Sequence, residues 1–505
     1  MVNNKIVYGK MLLVGSGEQR NVIRDGAVYI EDGFIRDVGE HKEISRSYSC
    51  DALLGSEEHI VMPGLVNSHH HGRGISQLQM GIRDAPLEVW ISYHVGKTYD
   101  IDVYYNTLLA NLRLIESGVT TSLHHFYGHD PAELSEYEKE LDRVVQAHID
   151  SGMRVALAPS IQDQNQYVYM HEEDFISQLP KQITNKLPIE KPGDEEISKR
   201  VINYFKAFRK IHDKYQNYDG RIKLLLGPTG VQWCSDGLLQ RIKRDAKRFG
   251  VGIHMHLQET RYQRDYGFRV YGKSPLQHLA DLNFVGPEVS FAHCVWVTEE
   301  DIDILVDADA AVIHNPSSNL RLFNGIAPIT SMIEKGANVA MGIDGTGIND
   351  DEDMFQEMRL CSLIHRSPGM ANYQRYSKTL DSSKILDMAT EKGAKTTGFG
   401  GKIGAIRVGA YADLILVNMR RIPYLESQAV PLEDILVGWA KGTDVDTVII
   451  NGEIIMKDHK FTRMDKEKIF NILKESVKEA DVETIEKMEE YKSYIKRYYE
   501  TWDGD

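Results

Sequence analysis

The sequence of 505 residues contains no unbroken apolar run of the roughly 18 residues that a membrane-spanning helix needs, so membrane residence is excluded. Cysteine is scarce. Cys50, Cys234, Cys294 and Cys361 are scattered and form no CxxC pair, which predicts reduced thiols in a cytoplasmic protein. Its opening residues, MVNNKIVYGKMLLVG, are broken by Lys and Gly and lack the apolar core of a secretory signal. Positive charge is in short supply: 59 basic residues face 74 acidic ones, for a net charge of −15, and a nucleic-acid surface is not expected. A phosphate-cradling GxxxxGK[ST] is absent. What remains is an ordinary composition, 42% hydrophobic and 26% charged, able to bury a large core and excluding a disordered chain. One oddity stands out: 19 histidines, unevenly spread.

Residues 1–60 carry short alternating runs, such as Ala27–Glu31 and Phe34–Val38, broken by Gly and Asp, and read as antiparallel strands. From 61 to 397 the pattern changes to short apolar runs, each followed by a longer segment of helical period. Eight such runs occur: Ile60–Asn67, Thr120–His124, Arg154–Ala158, Ile222–Leu226, Val251–His256, Val289–Ala292, Ala310–His314 and Asn338–Ile343. Eight strand–helix units predict an α/β fold, a (β/α)8 TIM barrel. Strand signals return over 398–460, at Gly404–Val408, Asp413–Val417 and Thr447–Ile450, with Asn451-Gly452 as a hairpin turn. The two β-rich ends are expected to form one small β-sandwich domain beside the barrel. The tail, 461–505, reads as helical, with Tyr491, Tyr494, Tyr498 and Trp502 along one side for packing on the barrel or for an oligomer contact. About sixty residues between the third and fourth strands, 161–220, are too many for a simple connection and suit either a lid or a surface elaboration.

Chemistry-bearing residues gather at the strand ends. The first run closes with Pro63-Gly-Leu-Val-Asn-Ser-His-His-His-Gly, and period-two alternation puts His69 and His71 on one face with His70 on the other. The fifth run supplies His256 and then Glu259, the sixth His293, and the eighth Asp344. Each signal alone is weak. Strand C-terminal ends of a barrel converge on one cavity, however, and four separate strands deliver a ligand-type residue there. Imidazoles and carboxylates gathered in this way suit a divalent metal such as Zn²⁺ or Fe²⁺.

These motifs resemble those of the amidohydrolase superfamily, in the branch of heterocycle deaminases and s-triazine hydrolases. The resemblance runs from PGLVNSHHH (63–71) through ESGVTT (116–121), HLQET (256–260), AHCVWVTEED (292–301), HNPSSNLRL (314–322) and GIDG (342–345) to IGAIRVGAYADLILV (403–417). It implies that His69, His71, His256 and Asp344 bind one divalent metal, Zn²⁺ or alternatively Fe²⁺. It implies further that Glu259 shuttles protons, that His293 orients the attacking water, and that Asp344 accepts the water's second proton. Trp90, His125, Gln77 and Asn319 are the implied substrate contacts. The implied activity is hydrolytic deamination of an amino-substituted N-heterocycle with release of ammonia. Dechlorination or cyclic-amide opening on a similar ring is the alternative. A small-molecule heterocyclic substrate and a homo-oligomer follow from the same likeness.

Two departures stand out. Where many relatives carry a PHAPY-like segment after strand four, this chain has Leu226-Gly-Pro-Thr-Gly-Val-Gln-Trp, which points away from nucleoside deaminases and towards triazine hydrolases. The segment Gly72–Gly81 is also unlike the usual one, although Leu87-Glu-Val-Trp90 fits. The carbamylated lysine of binuclear members has no counterpart: Lys223 lies at the start of its strand, which favours one metal. His254 shares a strand face with His256 and is expected to be a hydrogen-bond partner behind the ligands rather than a ligand. Of His124 and His125, one reaches the cavity or both serve the loop. Asn349–Asp353 either draws a cationic substrate or complements a helix N-terminus. The other zinc deaminase architecture requires HxE with PCxxC, and this chain has neither. A non-catalytic scaffold would be expected to have lost ligands, and all are present.

Overall fold

The computed structural model describes residues 4–96, 99–345, 347–366, 380–422, 430–476, 478–479 and 482–502. Four strands open the chain: β1 (Asn4–Val14), β2 (Asn21–Glu31), β3 (Phe34–Glu40) and β4 (Ala52–Pro63). Then come β5 (Leu65–His70), a two-residue β6 (Tyr99–Asp100), β7 (Val119–Phe126), β8 (Arg154–Ile161), β9 (Ile222–Pro228) and β10 (Gly252–Leu257). The middle of the chain ends with β11 (Val289–His293), β12 (Ala311–His314) and β13 (Asn338–Met341). The last strands are β14 (Leu414–Asn418), β15 (Val445–Ile450), β16 (Glu453–Lys457), β17 (Lys460–Phe461) and β18 (Lys478–Glu479).

Eight strands, β5 and β7 to β13, pair in parallel and in chain order. Their residues are buried almost throughout, as expected for a parallel sheet covered by helices. A bridge between His70 and Asp344 joins the end of β13 to β5 and closes the barrel. The first expected run is divided in two. Ile60–Pro63 belongs to β4 and pairs with β14, and the barrel begins at Leu65. Gly64 makes the junction possible, since a Cβ there would stand 2.3 Å from the Thr120 side chain.

The sheet built from both chain ends has the order β17-β16-β15-β14-β4-β1-β2-β3. It is one continuous sheet curled over on itself. Val7, Val28, Ile30 and Ile35 from one half share a core with Leu414, Leu416 and Ile449 from the other, which gives the expected sandwich. Gly404–Val408, expected as a strand, is irregular; its Ile406 carbonyl accepts from Gly15 N at 3.1 Å without joining a ladder. The Asn451-Gly452 turn lies where expected, both residues having positive φ.

The tail helix Val482–Glu500 buries Tyr491 and Tyr499, followed by Trp502, in the main core, so packing within the chain is the outcome for this aromatic face. Tyr498 Oη donates to Met170 O at 2.6 Å, clamping the long insertion. Inside that insertion Ile183, Leu187 and Ile189 are fully buried, so it is a packed layer rather than a loose flap.

Barrel and sheet are joined by a buried ion pair. Arg154, at the start of β8, donates through Nε and Nη2 to the two oxygens of Asp413, each at 2.8 Å, and its guanidinium lies over the Phe399 and Tyr411 rings. Neither partner reaches solvent. Removing one member strands the other charge in a dry interior, at a cost of about 3–5 kcal/mol. Asp413→Ala is therefore expected to lower stability by that amount, read as a shift in the denaturant unfolding midpoint. An unchanged midpoint would contradict this account.

Candidate functional site

Strand alternation and two backbone kinks assemble the site. On β10, His254 and His256 face into the barrel while Ile253 and Met255 face the helices. On β11 the inward residue is Ser290, which meets His254, so simple alternation would send His293 outward. His293 has φ 75°, a left-handed conformation that an L-residue adopts at a cost, and its ring turns inward. Asp344 has φ 69° at the matching position after β13. Asp344 N donates to His69 O at 2.9 Å and His71 N to Asp344 O at 3.1 Å, so the barrel closes at the site itself.

The hydrogen bonds fix a tautomer for each ring. His71 Nδ1 donates to His125 O at 2.8 Å, and His256 Nδ1 to Thr229 O at 3.0 Å, because a carbonyl can only accept. Ser290 Oγ donates to Ile253 O at 3.3 Å and accepts from His254 Nδ1 at 2.8 Å. His254 Nε2 is then an acceptor, and His69 Nδ1 donates to it at 2.8 Å. His293 Nδ1 likewise donates to Asn319 Oδ1 at 2.8 Å. In His69, His71, His256 and His293 the Nε2 atom is left as a bare lone pair. Burial lowers the pKa of His69 and His71 and takes His256 down to about 3, so these imidazoles are neutral.

The lone pairs converge on Asp344. Its Oδ1 lies 2.9 Å from His71 Nε2 and 3.5 Å from His69 Nε2, and its Oδ2 lies 3.9 Å from His293 Nε2. Two acceptors facing each other at 2.9 Å repel unless a proton or a metal ion lies between them. His69, His293 and Asp344 form one set of ligand atoms within 4.8 Å of one another; His69, His125 and His256 form another. The residues present therefore fit a divalent metal. Among the described residues no lysine joins them: Lys223 sits at the start of β9, its amine on Asn217.

Beside this cluster, Glu259 accepts from Asn324 Nδ2 at 2.7 Å through Oε1 and directs Oε2 to within 3.7 Å of His293 Nε2. Burial pushes its carboxyl up to about 7, against the pull of His293. At neutral pH such a group can both give and take a proton.

The expected substrate contacts divide. His125 is fully buried with neither ring nitrogen partnered, its ring centroid 5.0 Å from that of His256. His124 turns away to His148, 3.1 Å between ring nitrogens. Asn319 spends its oxygen on His293. Trp90 lies in an apolar cluster with Ile82, Leu87 and Leu322. Gln77, with its amide oxygen turned towards Arg73, accepts from Nη1 at 2.6 Å. Arg73, whose guanidinium stands 5.9 Å from the Trp90 ring, is a residue that sequence reasoning missed. A cation two positions after His71, within the segment that departs from the usual pattern, was the available signal. Glu88 was missed as well. It accepts from Thr260 Oγ1 at 2.5 Å and Tyr169 Oη at 3.0 Å, tying the insertion to the turn that carries Glu259. His70 points away from the cluster, to Glu352 at 3.0 Å. Asp353 caps the helix Met354–Ile364, accepting from Phe355 N at 2.9 Å, so its place is at the helix N-terminus.

A parallel eight-stranded barrel with imidazoles and carboxylates gathered at its strand ends is the architecture of a metal-assisted hydrolase. The chain belongs to the amidohydrolase family, whose model matches residues 60–455. It is 33% identical over 462 residues to the 5'-deoxyadenosine deaminase of Methanosarcina barkeri, covering 90% of this chain and 94% of that one. With the 5-methylthioadenosine/S-adenosylhomocysteine deaminase of Thermoanaerobacter pseudethanolicus it shares 31% identity over 475 residues, 93% and 98% of the two chains. A zinc-bound adenosine deaminase from Xanthomonas campestris has the same fold, with a TM-score of 0.77, 23% identity and coverage of 94% and 97%. The departure at Leu226–Trp233 thus occurs in a chain whose sequence relatives include nucleoside deaminases.

His254 fixes the His69 tautomer, and such supporting bonds are worth roughly 10–100-fold in metal affinity. His254→Phe is expected to weaken metal retention by that factor in competition against a chelator. Retention equal to the wild type would show that the His69–His254 bond does not set the ligand.

Proposed function

We propose that this protein is a metal-dependent aminohydrolase that replaces the exocyclic amino group of an N-heterocycle by oxygen and releases ammonia. The observation that carries this reading is the meeting of Glu259, His293 and Asp344 beside a converging set of imidazole lone pairs. His69, His71, His256 and Asp344 would hold one divalent metal. Zinc is the favoured ion, since three neutral imidazoles and a carboxylate suit it. When bound, such an ion supplies water acidic enough to act as a nucleophile at neutral pH.

The chain's own residues supply the remaining steps. Glu259, with a pKa near neutrality in its buried setting, carries a proton to the ring nitrogen next to the attacked carbon. This removes the negative charge that attack would otherwise leave on the ring. Asp344 takes the proton released on the other side, and the amine leaves once it is protonated. His293, oriented by Asn319, presents the Nε2 lone pair, which can accept a hydrogen bond from the attacking water and so orient it. The walls are dry: His69, His293 and Asn319 are essentially inaccessible to solvent, which strengthens each of these interactions. The relatives' names favour an adenine nucleoside altered at its 5' carbon as the substrate class.

Glu259→Gln keeps the shape and the Asn324 contact but removes the proton. It is expected to lower turnover by about 10²–10⁴-fold with metal content unchanged. Near-wild-type turnover would exclude Glu259 as the shuttle. Ammonia release should be measured across 5'-modified adenosines, free aminopurines, pterins, aminopyrimidines and aminotriazines. The expected result is turnover of at least one adenine nucleoside. Chloride release from a chlorotriazine without ammonia release from any amine would overturn the deaminase reading.

A further inference from the structure

A second group of metal-ligating side chains lies between the barrel wall and its outer helices. Asn315 faces the first cluster, its Nδ2 lying 3.4 Å from His293 Nδ1. Alternation along the chain turns the preceding residue, His314 at the end of β12, to the opposite side, towards the helix Met354–Ile364. Cys361 lies in that helix and His365 caps its C-terminus, four residues apart on one face. His365 Nε2 stands 3.1 Å from His314 Nε2, and one ligand atom from each of His314, Cys361 and His365 lies within 4.8 Å of the others. His314 and Cys361 are fully buried, and His365 is partly exposed, which leaves a way in.

We propose that His314, Cys361 and His365 form a second metal site, separate from the His69/His71/His256/Asp344 centre, for a borderline-soft divalent cation of the zinc type. With Zn–N bonds of about 2.0–2.1 Å, two imidazole nitrogens on one tetrahedral ion stand about 3.3 Å apart, close to the distance between these rings. Both rings are lowered by burial, His365 to about 4, so neither is an imidazolium and lone pairs remain for a metal. Burial also keeps the Cys361 thiol protonated in the absence of a cation. Loading therefore exchanges a proton for the metal: the S–H bond breaks, a sulfur–metal bond forms, and one proton is released to solvent. One thiolate and two imidazoles select zinc-like ions over magnesium or calcium. The site would tie β12 to the helix behind it. The short helix Pro316–Arg321 that follows His314 carries Ser318 and Asn319, which hold Asp344 and His293, so the expected role is to stiffen the wall of the first site.

The test uses the full chain, stripped of metal and reloaded with Co²⁺ alone. Among the described residues, the only cysteine in a metal-ligating group is Cys361. A sulfur-to-cobalt charge-transfer band in the near ultraviolet therefore reports this site and no other. The wild type is expected to show that band and to bind one cobalt ion more per chain than Cys361→Ser, which should lose the band. Cys361→Ser is also expected to keep its catalytic metal. If Cys361→Ser does not fold, His365→Gln, at the more exposed helix end, should weaken the band and the extra ion in the same way. A wild type without the band, or a band and stoichiometry unchanged in the variants, overturns the proposal. Failure of the first centre would look different: the band would remain while the thiolate-free ion was missing.

Discussion

The contact on which the rest of the structure depends is the one between Asp344 and the strand of His69 and His71. Through its backbone, Asp344 completes the hydrogen-bonded ring of the barrel, donating to His69 O and accepting from His71 N. Through its carboxylate, it faces the two imidazoles of the same strand. One residue thus joins the last strand to the first and gathers the polar groups that the barrel encloses. A barrel that opened here would lose its register and its site together, because the same residue serves both.

That arrangement places several polar groups in a dry interior, where each unpaired one is costly. The protein meets this by giving the imidazoles of His69, His71, His256 and His293 one committed nitrogen each. Carbonyls of His125 and Thr229, the Asn319 amide and the relay Ile253–Ser290–His254 each take a proton from one ring, and the opposite nitrogens are left pointing inward. Burial keeps the rings neutral, and the neutral rings supply lone pairs. The left-handed backbone at His293 and Asp344 is part of the same arrangement, since strain of this kind persists only where surrounding contacts enforce it.

The outer layers act on the site through Glu88. Tyr499 Oη of the tail helix accepts from Tyr169 N at 3.3 Å, and Tyr169 Oη in turn donates to Glu88 at 3.0 Å. Glu88 holds Thr260, the residue after Glu259. The 161–220 insertion and the aromatic face of the tail are therefore one packed assembly whose innermost contact steadies the turn carrying the proton-shuttling carboxyl. The choice between lid and surface elaboration resolves into a third role, a fixed brace.

Much was legible in the sequence because barrel strands impose a strict order on their residues. Period-two alternation separates His69 and His71 from His70, and the eight apolar runs specify the barrel through local pattern alone. The same local rules failed where the chain breaks its period. Ile60–Pro63 reads as part of the first barrel strand, yet only the pairing with β14 assigns it to the other sheet. Arg73 and Glu88 carry no periodic signal, since their importance lies in partners distant in sequence. By itself, then, the sequence determined the strand order, the fold class and which residue types arrive at the strand ends, because these follow from local period and spacing. Only the tertiary structure decided the tautomers, the inward turn of His293 and the joining of Asp344 to His69 and His71. Those depend on which hydrogen-bond partner stands opposite each atom, and that is settled only when distant strands meet.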